Sequence, residues 1–356
     1  MHYRPTTAER LNMQPFLNQK FFMPAETTPH DACWIAWPSR ADLWHQRLEA
    51  VRAEHALVAR TIARYEPVIM VCRPEDEAAA RAMCGDAVRV WTCTIDDSWI
   101  RDSGPTFLLG ENGGVAIVDW AFNAWGGKYE PYTADAALKR GIAEALGIPL
   151  MTNRLIAEGG AILSDGEGTI ITTESCLLNP NRNRGLTRAH VEEELLDTLG
   201  AEKIVWLPGD VGEVETDGHV DCLASIAGQG RIVLECAETA EGARREVLQE
   251  NRRALLAQTD ATGRRFEIIE IPSAPTIDTA DPRHQSSYVN FYIANGAVIM
   301  PGHGIARDIE AREAVAAAFP EREVVQLVLE ALPYGGGSIH CITQHQPRRL
   351  RRWGRS

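Results

Sequence analysis

One pattern recurs five times along this chain of 356 residues: an amphipathic helical stretch followed by a short run rich in Val and Ile. In the helical stretches, apolar residues recur at spacings of three and four, whereas the runs that follow have the composition of strands. The five pairs are 41–66 with 67–73, 135–147 with 148–151, 187–200 with 203–208, 240–258 with 266–272, and 307–319 with 322–327. A helix-then-strand unit that repeats in this way predicts an α/β module arranged radially.

Pairs of short strands with Gly-rich turns separate these units. The segments Asp165–Gly168 and Asn295–Gly296 each predict a hairpin turn. Alternating helices and strands are also compatible with a doubly wound α/β sheet. That fold usually binds its ligands at a G-x-G-x-x-G motif after a strand, and here Gly335–Gly337 precedes a β-like run instead of a helix. The repeated module is therefore the favoured prediction.

Charge and composition exclude several classes of function. Hydrophobic residues at 45% and charged residues at 24% predict a folded chain that is long enough to bury a core without disulfides or metals. A net charge of −13 argues against nucleic-acid binding, which needs a basic surface. No stretch is long enough to span a membrane, and the start of the chain lacks an apolar signal region. We therefore expect a cytoplasmic protein with neither nucleic acid nor membrane as a partner.

Eight scattered cysteines without a C-x-x-C pair predict neither a zinc cluster nor a disulfide framework. A cysteine of this kind is usually a buried thiol that packs as a small apolar group. Cys341 differs, because the glycine triplet Gly335–Gly337 leads into the β-like stretch Ile339–Thr343 that carries it, and glycines let the backbone pass close to a ligand. We predict that Cys341 is a nucleophile whose base comes from elsewhere in the chain.

Two histidines could serve Cys341 as a base. Neighbouring residues on a strand face opposite sides of it, so His340 is expected to point away from the thiol. His219 lies in Glu215–Cys222, where an extended backbone would place it on the same face as Asp221. Such a pair forms an acid–base pair, two metal ligands or an incidental surface turn. We expect no metal, because further ligands at metal-site spacing are missing.

Further carboxylates lie in two other segments. Asp96–Pro105 holds three aspartates with Arg101 and Trp99, which predicts either a capped turn or a pocket whose carboxylate binds a cation beside an aromatic wall. Glu158 follows an apolar run and precedes two glycines, so it has a partner, titrates abnormally or ends a strand in water. Carboxylates around a nucleophilic cysteine suit an electrophile that is itself a cation, such as a guanidinium.

Seven stretches of the chain resemble the agmatine deiminase family of the guanidino-group-modifying enzymes. They are WIAWP at 34–38, DDSWIRDSGP at 96–105, FNAWGG at 122–127, EGG at 158–160, GHVD at 218–221, SYVNFYIANG at 287–296 and GGGSIHCITQ at 335–344. The resemblance implies an α/β fold of the pentein type, a five-bladed pseudo-fivefold propeller with the active site at the central axis. It implies one deiminase domain over residues 1–347, and it suggests a homodimer. The basic composition of residues 348–356 separately predicts a mobile, solvated tail.

The resemblance also implies a reaction. Agmatine is hydrolysed to N-carbamoylputrescine and ammonia, with no metal or organic cofactor. Cys341 attacks the guanidinium carbon, and the covalent thiouronium intermediate that remains after ammonia leaves is hydrolysed by water. His219 is the general acid and base.

Four further residues of this sequence match the family's site. Asp102 and Asp221 correspond to the aspartates that hold the guanidinium. Glu158 corresponds to the remaining carboxylate near the histidine. Trp99 lines the pocket against the alkyl chain of the substrate.

Some positions depart from the residues that are common in the family, and they leave the substrate open. Ser225 and Ile226 stand where Arg-Phe is common, Ser338 where Asn is common, and His345 where Gln is common. The alternatives are a deiminase of arginine or of another guanidino acid or amine, an amidinotransferase, and a guanidine- or polyamine-binding protein without activity. Because the site segments hold no basic residue besides Arg101 and histidine, a substrate with an amine or neutral tail is favoured.

Overall fold

The computed structural model describes residues 19–275, 277, 281 and 283–349, and the fold is mixed α/β. Within these residues, all five predicted helix-then-strand pairs are present. In each unit, the strands before and after the helix pair in parallel, and an antiparallel strand flanks the first of them. The repeating unit is therefore an antiparallel strand, a strand, a helix and a strand.

The strands are short, with lengths of two to seven residues. In chain order they are β1 (Phe21–Phe22), β2 (His30–Ala36), β3 (Val68–Cys72), β4 (Val88–Thr92), β5 (Thr106–Gly110), β6 (Val115–Ala121), β7 (Leu150–Ile156), β8 (Leu163–Ser164), β9 (Thr169–Thr173), β10 (Lys203–Leu207), β11 (Ala224–Gly228), β12 (Arg231–Cys236), β13 (Glu267–Pro272), β14 (Tyr292–Ala294), β15 (Ala297–Gly302), β16 (Glu323–Val328) and β17 (Thr343–Pro347).

Each unit has one long helix, and the shorter helices lie in the connections. The long helices are Leu48–Ile62, Thr133–Leu146, Arg188–Leu199, Gly242–Leu256 and Arg307–Ala318. The shorter ones are Ala41–Trp44, Glu77–Cys84, Ile100–Ser103, Ala124–Gly127 and Glu174–Leu177. The 3₁₀ turns are His45–Arg47, Pro74–Asp76, Gly159–Ala161, Val220–Cys222, Ala237–Thr239 and Leu332–Gly335.

The strands of the described chain form five separate sheets, not the single continuous sheet of a doubly wound fold. Their orders are β1-β5-β6-β7, β10-β9-β8, β11-β12-β13, β14-β15-β16 and β17-β2-β3-β4. Both predicted hairpins are confirmed, because β8 pairs antiparallel with β9 and β14 with β15. The last sheet joins the two ends of the chain, since β17 pairs antiparallel with β2 and places Thr343 opposite Ile35.

The helices pack their apolar faces against these sheets. In the first unit, Val51 and Ile62 of the helix share a fully buried cluster with Met70 of β3. Burying a side chain of this size contributes about 1.5–3 kcal/mol. The same cluster includes Trp99 and Cys341, so the first unit's core extends to the predicted nucleophile. None of the helices in the described ranges is long and apolar enough to cross a membrane.

Both segments that were predicted to be extended at the site are turns. His219 precedes the 3₁₀ turn Val220–Cys222. Cys341 lies in a turn that ends where β17 begins, because the Thr343 hydroxyl donates to the carbonyl of Ile339 over 2.8 Å and keeps the chain tightly wound. The prediction of a β-like stretch over Ile339–Thr343 was therefore wrong before residue 343. The prediction that His340 and Cys341 face opposite sides of a strand was wrong for the same reason.

The tail predicted at 348–356 begins with two residues that contact the first unit. The Arg348 N–H donates to the carbonyl of Pro29 over 2.7 Å, and the Arg349 N–H donates to Asp31 Oδ2 over 3.2 Å. Residues 350–356, like residues 1–18, lie outside the part of the chain that the structure describes.

Candidate active site

Every repeating unit contributes one polar residue to the same region. The residue lies shortly before the unit's first strand: Asp102 before β5, Glu158 before β8, Asp221 before β11, Asn290 before β14 and Cys341 before β17. All five are buried. The residues that sequence motifs indicated therefore occupy equivalent positions in the repeat, and Asn290 fills the fifth position.

Gly160 marks the point where three of the predicted side chains converge. A Cβ atom at this position would lie 2.6 Å from His219 Nδ1, 2.9 Å from Asp102 Oδ1 and 2.9 Å from Asp221 Oδ2. The Gly160 N–H itself donates a hydrogen bond of 2.9 Å to Asp102 Oδ1. Only glycine lets these three groups face one another so closely.

Asp102 is buried, and no cationic side chain of the described residues donates a hydrogen bond to it. Its Oδ2 accepts from the indole N–H of Trp125 over 2.8 Å, and its Oδ1 lies 3.7 Å from His219 Nδ1. Burial raises the pKa of Asp102; His219 opposes this shift, while Asp221 and Glu158 add to it. A carboxylate in this position gains charge balance when a cation enters the site.

Glu158 has the buried partner that its surroundings required. Its Oε1 accepts from Arg182 Nε over 2.6 Å, and both side chains are fully buried. Burial alone would raise the pKa of Glu158, but His219 and Arg182 lower it below its usual value. The alternative of a strand end in water is excluded, since Glu158 is 0% exposed.

His219 lies between two carboxylates. Its Nδ1 faces Asp102 at 3.7 Å and its Nε2 faces Glu158 Oε2 at 3.6 Å. Burial disfavours the imidazolium, but Asp102, the Cys176 sulfur and Glu158 outweigh burial and raise the pKa of His219 well above its usual value. These neighbours therefore favour the imidazolium form of His219, which is the form that can donate a proton.

The thiol of Cys341 contacts groups from two other units. Its Sγ lies 3.4 Å from Asn290 Oδ1 and 3.9 Å from Asp221 Oδ2. Asn290 Nδ2 also donates to the backbone carbonyl of Asp221 over 3.3 Å. Asn290 thus links the turn that carries the thiol to the turn that carries Asp221.

His340 belongs to this network, contrary to the prediction that it points away from Cys341. Its Nδ1 lies 2.7 Å from Asp221 Oδ2, and its Nε2 lies 2.9 Å from Glu26 Oε1. Glu26 also accepts from Arg101 Nη1 over 2.8 Å. Because the segment is a turn, His340 and Cys341 both reach Asp221.

The pH dependence of stability should report on this network. Burial and Arg101 disfavour the His340 imidazolium, but Glu26 and Asp221 outweigh them and raise its pKa to about 9. Because the pKa of His340 is higher in the folded state than in the unfolded state, where it is about 6.5, protonation of His340 stabilises the fold. This contribution is fully present below about pH 6.5 and is lost as the pH rises through about 9. Between pH 7 and 10, the wild type should therefore lose on the order of 2 kcal/mol more unfolding free energy than His340→Gln.

Urea denaturation at the two pH values measures this difference. His55→Gln is the matched control, because burial lowers the pKa of His55 to about 4 and it stays neutral throughout this range. Its variant should keep the wild-type dependence on pH. Equal dependence for the wild type and His340→Gln would contradict the assigned charge of His340.

A cavity of about 540 Å³, counting the space at its mouth, opens onto Cys341 and Asp102. Trp44 and Trp99 form one wall, with ring centroids 5.9 Å apart. A Cβ at Gly335 would lie 2.2 Å from the Trp44 ring. The glycines before Cys341 therefore leave room for these tryptophan rings. From the sequence, the glycines had been explained only by the close approach of a ligand.

Further charged residues line the cavity. Asp97, Glu215 and Arg283 contribute to it, and the Tyr129 hydroxyl donates to Glu215. Burial raises the pKa of Asp97 to about 6, partly offset by the Ser98 N–H. Two acids and one arginine in this lining can discriminate between substrates by the charge on their tails.

Among the described residues, three groups of three side chains have donor atoms within 4.8 Å of one another and could hold a metal. Two of these groups lie at the candidate site: Glu158 with Cys176 and His219, and Asp221 with Cys222 and Cys341. The carboxylate of each group already has a cationic partner, since Arg182 binds Glu158 and His340 binds Asp221. Neither group needs a metal for charge balance. The sequence-based expectation of a site without metal stays a prediction.

Comparison with known proteins places the chain in a family. The Porphyromonas-type peptidyl-arginine deiminase family matches residues 22–347. The chain belongs to this family. The agmatine deiminases of Stutzerimonas stutzeri (strain A1501) and Pseudomonas aeruginosa (strain LESB58) are each 39% identical to it over 351 residues, which covers 92% of this chain and 95% of each relative. The solved structure of the Enterococcus faecalis agmatine deiminase superposes with a TM-score of 0.88 at 30% identity and covers 98% of this chain and 100% of that one.

Sequence reasoning did not indicate four residues that this member of the deiminase family places at its site. Glu26 binds His340, which is 314 positions away, and Arg182 binds Glu158, which is 24 positions away. Neither Glu26 nor Arg182 lies in a segment with unusual composition. Asn290 and Cys222 lie within matching stretches or next to them, but an amide and a small thiol carry no distinct signal. The position before the first strand of each unit was the feature that could have indicated Asn290.

Proposed function

We propose that this chain hydrolyses agmatine to N-carbamoylputrescine and ammonia. The observation that carries the proposal is the convergence of a thiol, a histidine and two aspartates: Cys341, His219, Asp102 and Asp221. Cys341 and Asp102 line the aromatic-walled cavity. Relatives that share 39% identity over most of the chain are agmatine deiminases. A neutral or anionic substrate would gain nothing from so many carboxylates.

In this proposal, the guanidinium binds between two carboxylates. Asp102 and Asp221 accept its N–H groups through paired hydrogen bonds, and the alkyl chain lies along Trp99. The contacts with Trp125 and with the Gly160 N–H hold Asp102 in place before the substrate arrives. Preorganised acceptors of this kind fix the guanidinium carbon in front of the thiol.

The reaction then proceeds in two halves. The Cys341 sulfur, as a thiolate, forms a bond to the guanidinium carbon, and His219 donates its proton to the departing nitrogen, which leaves as ammonia. The covalent thiouronium intermediate remains. Neutral His219 next takes a proton from water as the oxygen bonds to the same carbon. The carbon–sulfur bond breaks, its electron pair returns to Cys341, and the hydroxyl proton passes to solvent as the ureido product forms. Glu158 stabilises the imidazolium form of His219 at both stages.

The test is ammonia release from the purified protein with agmatine, with arginine and a short guanidino acid in parallel, and with the product identified by mass. Turnover of agmatine to the ureido product supports the proposal. Turnover of another guanidine instead would keep the chemistry and change the substrate. Ammonia-free transfer of the amidino group to an added amine would identify an amidinotransferase. No reaction with any substrate would favour a binding protein.

A substrate with a carboxylate tail is the second candidate, and Arg283 is the observation that favours it. The loop just before the matching stretch 287–296 brings this arginine to the cavity. Its charge is partly balanced there, because its Nη2 lies 3.3 Å from Asp281 Oδ2. Glu215 also lines the cavity and would attract an ammonium tail instead.

Two neutral substitutions should separate these candidates. For agmatine, Glu215→Gln should raise KM about fivefold and Arg283→Gln should lower it, because partly exposed charges contribute about 1 kcal/mol. The signs reverse for a substrate with a carboxylate tail. Steady-state kinetics of both variants with agmatine and arginine measure the effect. A higher KM for agmatine in Arg283→Gln would contradict an ammonium tail beside Glu215 and Arg283.

We also propose that the chain folds as a five-bladed propeller with the site at its central axis. Its support is that five units of one topology each contribute a residue from the position before their first strand. An experimental structure with a bound guanidine would test whether those five positions surround the ligand.

We further propose one domain over residues 1–347 with a mobile tail at 348–356, a homodimer, and a cytoplasmic location. The family match over 22–347 supports the extent of the domain. Limited proteolysis tests the tail, light scattering tests the dimer, and cell fractionation tests the location.

A further inference from the structure

The thiol of Cys222 lies beside the thiol of Cys341, the proposed nucleophile. The sulfur atoms of Cys222 and Cys341 and an oxygen of Asp221 all lie within 4.8 Å of one another. Asn290 contacts both sulfurs, with Oδ1 at 3.4 Å from Cys341 Sγ and Nδ2 at 3.7 Å from Cys222 Sγ. The proposed deimination uses Cys341 alone, so Cys222 has no part in that chemistry.

The two thiols open onto different cavities. Cys341 lines the 540 Å³ cavity described above. Cys222 lines a second cavity of about 1000 Å³, which also reaches His219 and is bordered by Arg244 and Ser287. Both cysteines lie in turns and neither in a regular strand. A small oxidant can thus reach Cys341 through the substrate cavity, and Cys222 approaches it from the other side.

We propose that Cys222 is a resolving cysteine that converts peroxide-oxidised Cys341 into a reversible Cys222–Cys341 disulfide. The Cys341 sulfur attacks one oxygen of hydrogen peroxide, and the oxygen–oxygen bond breaks. The other oxygen leaves as hydroxide and takes the thiol proton of Cys341 to form water, and Cys341 becomes a sulfenic acid. The Cys222 sulfur then attacks the Cys341 sulfur, and the sulfur–oxygen bond breaks. The leaving hydroxide takes the proton from Cys222, so each peroxide yields one disulfide and two waters.

The surroundings favour this order of events. A hydrogen bond to Cys341, burial and the nearby Asp221 raise the pKa of Cys222 well above its usual value, so Cys222 stays a thiol while Cys341 reacts. The sulfurs must then approach to about 2 Å. The disulfide removes the nucleophile, which stops turnover, and it protects Cys341 from irreversible oxidation to the sulfinic acid.

The test compares the wild type, Cys222→Ser and the control Cys93→Ser after treatment with hydrogen peroxide. Peptide mass analysis should find residues 222 and 341 joined with loss of two hydrogens in the wild type and Cys93→Ser. Cys222→Ser should instead gain two oxygens on Cys341. After dithiothreitol, recovery of each protein's own starting activity should be at least about tenfold greater in the wild type than in Cys222→Ser.

Equal oxygen addition to Cys341 in the wild type and Cys222→Ser, or a disulfide from Cys341 to another cysteine, would overturn the proposal. If Cys222→Ser does not fold, Cys222→Ala replaces it, and the wild-type mass alone still tests the cross-link. The activity readout rests on the proposed function, whereas the mass readout does not. A chain without deiminase activity would therefore leave the test of the thiol pair intact.

Discussion

Replacing Cys341 with alanine should lower kcat for ammonia release from agmatine by about 10⁵-fold or more, because the covalent intermediate can no longer form. Binding of agmatine should survive. The two aspartates that hold the guanidinium, Asp102 and Asp221, keep their other contacts in this variant, and only the 3.9 Å contact of Asp221 with the thiol is lost. Steady-state ammonia assays and calorimetric titration with agmatine separate the two effects.

The control is Cys84→Ala, since Cys84 is equally buried but does not line the cavity. It should lose some stability through the small void it creates and keep kcat. Acid-quenched wild type should carry the mass of the thiouronium adduct on Cys341, and Cys341→Ala should carry none. Unaltered turnover in Cys341→Ala would disprove the covalent mechanism and require another nucleophile.

The fold was predictable wherever the pattern that specifies it is local. Helix and strand periodicity within one unit, and the turns Asp165–Gly168 and Asn295–Gly296, are properties of short segments, and the structure has both hairpins. The pairing of β17 with β2 is different. It joins residues about 300 positions apart, and no local pattern specifies which edge a distant strand selects.

The residues of the candidate site were also predictable only where a local motif marks them. Cys341 and His219 stand in motifs with unusual local composition, so the sequence indicated them. The rule of alternating faces misplaced His340, because it presupposes a strand and the Thr343 hydroxyl closes a turn there. Arg182 was not found, since its role depends on its contact with Glu158, and a contact between two loops of one unit is not specified by the sequence of either loop.

Gly160→Ala should abolish most activity without unfolding the protein. The added methyl would lie 2.6 Å from His219 Nδ1 and 2.9 Å from oxygens of Asp102 and Asp221, so at least one of these groups must move. A displacement of about 1 Å between reacting groups costs about 10²-fold in rate. We therefore expect kcat/KM to fall by at least about 10²-fold, with a far-ultraviolet circular dichroism spectrum like that of the wild type.

Gly141→Ala makes the same chemical change in a helix, where the new Cβ would meet only Cys93 and Trp91 at 3.8 Å. It should keep wild-type kinetics and raise the unfolding free energy by about 0.5–1 kcal/mol, because alanine favours the helix over glycine. Because the Gly160 methyl crowds His219, Gly160→Ala should also shift the alkaline limb of the pH–rate profile, whereas Gly141→Ala should not. Wild-type kinetics in Gly160→Ala would mean that the three groups do not act together at this point, and the roles proposed for Asp102 and Asp221 would then fail.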